Sequence, residues 1–184
     1  MNWKKRTGFF LLGLLLMLST GCGDTEGENP APEQPTAGQE EEQTPQSVPA
    51  PDFTVYDKEG NEIHLSDFFG KPIVLNFWAS WCGPCTGEMP EFQEACDELG
   101  EEVQFLMINV TGGRETVKTA SKFIEKEGYT FPVFYDTDLE ASRLYGANAL
   151  PTTFFIDKEG NAIAYAMGAL NGEKLQLGID TIRP

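Results

Sequence analysis

The stretch Trp81-Cys82-Gly83-Pro84-Cys85 constrains this chain more than any other feature. It follows an apolar run from Ile73 to Ala79, whose one polar member is Asn76, and precedes a helical pattern from about Pro84 to Leu99 with Gly100 as its stop. A short apolar run of this kind reads as a central strand covered on both faces. A Cys-x-x-Cys at the passage from strand to helix puts the first sulfur at a helix N-terminus. There, unpaired N–H groups and the macrodipole favour a thiolate. Two intervening residues let the second thiol close a small ring with the first. That is the equipment for thiol–disulfide exchange.

The other cysteines, Cys22 and Cys96, do not turn the set into a disulfide framework, which would be denser and set in a smaller, loop-rich chain. With His64 as the single histidine, the ligands of a structural zinc site are lacking. No metal is expected, and no cofactor beyond the dithiol itself. His64 lies in a predicted hairpin well before the motif and reads as a half-exposed strand residue. Cys96 shares a stripe with Met89, Phe92 and Leu99 and is expected to be a buried structural thiol.

Charge divides the 184 residues unevenly. Lys4, Lys5 and Arg6 are the only bases before residue 51, and residues 51–184 carry 22 acidic against 10 basic side chains. Such a surface argues against nucleic acid and against electrostatic docking on anionic lipid. Residues 1–22 read as an export signal: a basic start, a ten-residue apolar core from Phe9 to Leu18, then Leu18-Ser19-Thr20-Gly21-Cys22. The core falls short of the roughly 20 apolar residues a bilayer span needs. The small residues before Cys22 resemble the lipobox of bacterial lipoproteins, although Ser19 stands where a branched aliphatic residue is usual. That resemblance implies lipid attachment at Cys22, and two acyl chains suffice for stable anchoring. Residues 23–50, rich in Gly, Pro, Glu and Gln, cannot bury enough surface to order themselves and read as a disordered tether. Flexible-chain scaling gives it a span of about 30 Å.

The folded part is assigned to residues 51–184. A hairpin is expected over Phe53–Tyr56 and Glu62–Leu65, and strands over 73–79, 103–110, 131–135, 153–156 and 162–167. Helices are expected over 84–99, 115–127, 138–145 and 172–182, with Pro90 bending the first. The five residues Asp-Lys-Glu-Gly-Asn occur at 57–61 and again at 157–161, one turn solution used twice.

This order of elements, with the motif ending a central strand and Leu150-Pro151-Thr152 opening a later one, resembles the thioredoxin fold: a central mixed sheet flanked by helices. More closely, the chain resembles the extracytoplasmic TlpA/ResA-like thiol–disulfide oxidoreductases. The leading hairpin Phe53–Leu65, the segment Asn76 to Cys85, Glu88-Met89-Pro90 and Leu150 to Ile156 carry that resemblance. It implies that Cys82 is the nucleophile and Cys85 the resolving thiol. It implies a cis Pro151 which, with Leu150, Trp81, Gly83 and Pro84, forms a shallow groove for an extended client segment. Asn76 replaces the buried Asp of cytosolic thioredoxins, and Glu88, three residues after the second Cys, is implied to tune or shuttle the proton.

The Gly-Pro pair between the cysteines is that of thioredoxin, so the centre is expected to reduce its clients. The implied setting is the outer face of a bacterial cell membrane, with the protein a lipid-anchored monomer. Its clients would be protein disulfides, such as the haem-site cysteines handled in cytochrome c maturation. Its electrons would come from a transmembrane thiol donor of the CcdA/DsbD type. Two alternatives share the scaffold. A thiol peroxidase of the peroxiredoxin kind would need Pro-x-x-x-Thr-x-x-Cys, and the position three before Cys82, where the threonine would stand, is Ala79, next to Trp78. A copper chaperone would need Cys-x-x-x-Cys and a late histidine, and none follows His64.

Overall fold

The computed structural model describes residues 48–183. Among these residues, eight strands form one mixed sheet. They are β1 (Val48–Pro49), β2 (Thr54–Tyr56), β3 (Glu62–His64), β4 (Ile73–Trp78), β5 (Gln104–Asn109), β6 (Val133–Tyr135), β7 (Thr152–Ile156) and β8 (Asn161–Met167). Their order across the sheet is β1-β8-β7-β4-β5-β6-β2-β3. The helices are α1 (Gly83–Leu99), α2 (Val117–Glu127), α3 (Glu140–Leu144) and α4 (Gly172–Ile182), with a short 3-10 turn at Leu65–Phe68. None of the described helices is long and apolar enough to cross a membrane.

The central position of β4 follows from its sequence. It pairs in parallel with β5 and antiparallel with β7, and all six of its residues are buried. Alternation divides them between two layers. Val74 and Trp78 join Phe105, Met107 and Phe155 beneath α1, α2 and α4. Ile73, Leu75 and Phe77 join Leu106, Ile108 and Ile156 on the other face, under α3 and the hairpin. Two crossovers in the same direction, β4-α1-β5 and β5-α2-β6, put both helices on one face, as right-handed connections require.

The two Asp-Lys-Glu-Gly-Asn segments form matching turns. In each, the Asp carboxylate accepts the Asn N–H, at 2.9 Å for Asp57 and Asn61 and 2.7 Å for Asp157 and Asn161. Gly60 and Gly160 take φ values of 88° and 86°, which a side chain would resist.

Three expectations change. The tether expected over residues 23–50 ends earlier, because its last residues belong to the sheet. Val48 and Pro49 pair with Ala162 and Asn161, and the Ala50 N–H donates to the Gly160 carbonyl at 2.9 Å. An edge strand tolerates Pro49, and its pairing is made by backbone groups that composition does not register. Residues 1–22, with Cys22, and residues 23–47 lie outside the described residues. The second change concerns Cys96, which is half-buried rather than enclosed, packing against the core beside Ala95 and Leu99 in the last turns of α1. Burial first, and then the Asp97 carboxylate, push its thiol up. Third, His64 is exposed, its ring within hydrogen-bonding distance of the Thr54 hydroxyl at 3.3 Å. Helix α1 runs through Pro90 as a single element, with that ring on the exposed side.

Candidate active site

The motif begins where β4 ends. Cys82 is the N-cap of α1, in extended conformation at φ −86° and ψ 103°. Its sulfur accepts the Cys85 N–H at 3.3 Å, so it occupies the place that a capping oxygen usually fills. Gly83 and Pro84 form the exposed first turn, where the missing proline N–H leaves no helical bond unmade. Cys82 and Cys85 are joined in a disulfide with an S–S distance of 2.04 Å, which fits a Cys-x-x-Cys redox centre. Cys85 is wholly enclosed, while Cys82 retains 6% of its surface. Any attacking or attacked sulfur reaches solvent through Cys82.

One turn further along α1, Glu88 is 2% exposed. Two donors hold it: the Asn76 amide gives a hydrogen to Oε1 at 2.9 Å, and the Leu170 N–H donates to Oε2 at 2.7 Å. Asn76 gives its other amide hydrogen to the Thr153 hydroxyl at 3.0 Å, while its Oδ1 has no partner among the described residues. Burial pushes the Glu88 carboxyl up from the usual 4.5 to about 7, against the lowering effect of the two hydrogen bonds. Asn76 and Glu88, two separate readings in the sequence, are thus one device. The side chain that cannot titrate positions the one that does.

The register that pairs Phe77 with Thr152 carries the Leu150–Pro151 segment to the end of β4, beside the motif. The Leu150–Pro151 peptide is cis, and the Pro151 carbonyl accepts the Gly168 N–H at 2.9 Å. Leu150 is partly buried and touches both core layers. Trp81 stands on the rim, 48% exposed, with the Arg114 guanidinium carbon 4.0 Å from its ring centroid. Cys82, Cys85, Glu88, Trp81, Gly83, Pro84, Leu150 and Pro151 therefore collect at one end of the sheet. Cys22 alone of the sequence-derived set lies outside the described residues.

The sequence pattern places Glu115 at the start of a helix over 115–127. Helix α2 instead starts at Val117 behind the Thr116 cap, and Glu115 turns inward to 3% exposure. Its carboxylate accepts the Ser80 N–H at 2.5 Å, the Ser80 hydroxyl at 3.0 Å and the Thr119 hydroxyl. The loop before α2 is thereby pinned to the residue that precedes Trp81. Sequence gives no sign of that contact, because 35 residues separate its partners. The Leu170 donor is equally silent, being a backbone group. A cavity of about 400 Å³ between α2, β6 and the Asp57–Glu59 turn shares no residue with the motif. Among the described residues no three His, Cys, Asp or Glu side chains gather as a metal site.

Residues 47–165 match the AhpC/TSA family. The chain is 38% identical over 136 residues to the thiol-disulfide oxidoreductase ResA of Geobacillus thermodenitrificans, covering 73% of this chain and 76% of that one. To the ResA of Bacillus cereus it is 35% identical over 184 residues, 98% of this chain and 99% of that one. Its fold is similar to the crystal structure of a putative thiol:disulfide interchange protein DsbE from Chlorobium tepidum. The TM-score is 0.65 at 32% identity, with 72% and 94% of the two chains covered.

Proposed function

Because the chain belongs to the AhpC/TSA family and is a thiol–disulfide oxidoreductase related to ResA, we propose that it works outside the cytoplasm as a membrane-anchored reductant of protein disulfides. The observation that carries this reading is the Cys82–Cys85 pair at the head of α1 with Glu88 buried one turn behind it. The Gly-Pro dipeptide supports the reducing direction.

In the reduced protein, Cys82 as thiolate attacks one sulfur of a client disulfide. The client S–S bond breaks, a mixed disulfide forms at Cys82, and the departing client sulfur takes up a proton. Cys85 then gives its proton to the Glu88 carboxylate and attacks the Cys82 sulfur. The second client thiolate leaves and is protonated in turn. Two electrons have passed to the client, whose two thiols carry the Cys85 proton, returned by Glu88, and one proton from solvent, and the enzyme is left as the Cys82–Cys85 disulfide. A carboxyl with a pKa near 7 suits that proton transfer, because it neither binds nor releases the proton irreversibly at neutral pH. Leu150 and Pro151, opposite Trp81, Gly83 and Pro84, form the groove in which an extended client segment lies against the Leu150 backbone.

Because both electrons come from the dithiol, no further cofactor is required. Each turnover needs a new pair of electrons, which the cell exterior does not supply in soluble form. A transmembrane thiol donor of the CcdA/DsbD type fills that place. The run from Leu18 to Cys22 supports lipid attachment at Cys22 and residence on the outer face of the cell membrane. The clients are exported proteins, the haem-site cysteines of cytochrome c maturation among them, and the protein acts as a monomer. The deciding measurement is the reduction potential of the Cys82–Cys85 couple. The expected value lies near the roughly −270 mV of thioredoxin, and a value near the roughly −120 mV of DsbA would overturn the reducing direction.

A further inference from the structure

Arg114 takes no part in the exchange just described, yet it stands over the residue directly before the nucleophile. Its guanidinium carbon lies 4.0 Å from the Trp81 ring centroid, and Trp81 is the half-exposed rim of the site. The four ion pairs among the described residues belong to Lys58, Lys126, Lys158 and Arg183. Arg114 forms none among the described residues, and neither do Lys71, Lys118, Lys122, Arg143 and Lys174; what sets Arg114 apart is its place over the ring of Trp81. Among the described residues it is the base that lies against the residue preceding Cys82, with no ion pair to a described carboxylate.

We propose that Arg114 is a specificity-determining residue that favours clients with a carboxylate beside the disulfide to be reduced. The proposal rests on the reading of Cys82–Cys85 as a disulfide-reducing centre and names a chemical class of client for it. A guanidinium held over an indole keeps its charge beside the ring, and one that stacks by its face leaves its in-plane N–H groups for a further partner. That fork matches a carboxylate, which accepts two parallel hydrogen bonds from it. The mounting is firm. Glu115, the next residue, is buried and bonded to the Ser80 N–H and hydroxyl, so the loop that carries Arg114 is fixed to the loop that carries Trp81 and Cys82.

The remaining charge of the protein sets the range over which this acts. With a formal charge of −16, the molecule repels an acidic client at a distance, and ionic screening confines single charges to about 8 Å at physiological salt. Arg114 is therefore felt after encounter, by the residues flanking the client cysteine as it approaches Cys82. Discrimination falls on those flanking residues rather than on the client's overall charge.

The test uses full-length reduced protein and two disulfide-linked peptides, identical except for Glu or Lys next to the cysteine. Second-order rate constants for reduction are measured, each normalised to the rate of the same peptide with dithiothreitol. Wild type is expected to favour the Glu peptide by about fivefold at low salt, the scale of an exposed ion pair. Arg114→Gln brings the ratio to about one, Arg114→Glu inverts it, and Arg114→Lys keeps part of it. Because the preference is a ratio within each variant, a general loss of reactivity cancels. A wild-type ratio at or below one, or the same ratio in Arg114→Glu as in wild type, overturns the proposal. Failure of the wild type to reduce either peptide removes the reductase reading itself and takes this proposal with it.

Discussion

Burial of Glu88 ties the ionisation of its carboxyl to the stability of the fold. In the unfolded chain its proton leaves near 4.5, whereas in the folded oxidised protein burial holds it to about 7. Below about 4.5 both states are protonated and the contribution is whole. As pH rises from there, the unfolded chain gives up its proton while the folded protein keeps it, so stability falls until the folded carboxyl ionises near 7. The difference between those two values corresponds to about 3 kcal/mol lost across that window. Glu88→Gln removes the titration and keeps an uncharged polar group beside Asn76 and Leu170. Urea denaturation of the oxidised forms at pH 5 and pH 8 is expected to show wild type losing up to that amount relative to the variant. Parallel profiles would mean that the buried carboxyl does not carry the proton. The same residue predicts a kinetic effect: in Glu88→Gln the pH dependence of Cys82 alkylation is displaced, since the nearby acid no longer ionises together with the thiol.

At the scale of elements, the passage of α4 over β7 depends on one missing side chain. A Cβ at Gly178 would lie 2.1 Å from the ring of Phe155, whose side chain is buried in the layer shared with Leu175 and Ile179. The helix gives up roughly 1 kcal/mol of propensity at this position compared with alanine, in exchange for that contact. Gly178→Ala is therefore expected to destabilise the protein by about 1–3 kcal/mol despite the better helix former, through displacement of Phe155 or of α4. Chemical denaturation measures it, and a gain in stability would show that the helix sits further from the sheet. The expectation of a helix over 172–182 did not reveal this packing, because the glycine and the phenylalanine lie on separate elements. The same division runs through the site. Cys82, Cys85 and the strand before them were legible because local chemistry and apolar patterning coincide there. Glu88 was visible as a residue but not as a buried one, since its burial is made by Asn76 on β4 and by the backbone of Leu170. Glu115 and β1 were hidden for related reasons. The first is defined by a contact across 35 residues, the second by backbone pairing in a segment whose composition reads as a linker.

Seen as a whole, the molecule has two ends. The dithiol lies beyond Trp78, at the C-terminal end of β4. Val48 pairs with Ala162, which pairs in turn with Ile156 and so with Ile73, at the opposite end of the same strand. The six residues of β4 span about 20 Å at the usual strand rise, so the described chain enters the domain about that far from its reactive sulfurs. If Cys22 is the anchor, the domain is held by the end remote from its chemistry. If, as proposed, a membrane thiol donor re-reduces the dithiol, the site of chain entry would then lie nearer the membrane than the sulfurs the donor must reach. On the proposed anchoring and donor, a shorter linker is expected to slow re-reduction more than client reduction. Deleting residues 25–44 leaves eight of the 28 residues between Cys22 and the expected start of the domain, and would lower the span from about 30 Å to about 16 Å if the segment follows flexible-chain scaling as its composition implies. In intact cells the shortened protein is expected to accumulate as the Cys82–Cys85 disulfide, read by thiol trapping. Its reduction potential and its turnover with dithiothreitol as electron source should match those of the full chain. Equal thiol fractions in the two proteins would show that the donor reaches the dithiol whatever the linker length, and that the remote attachment has no bearing on electron supply.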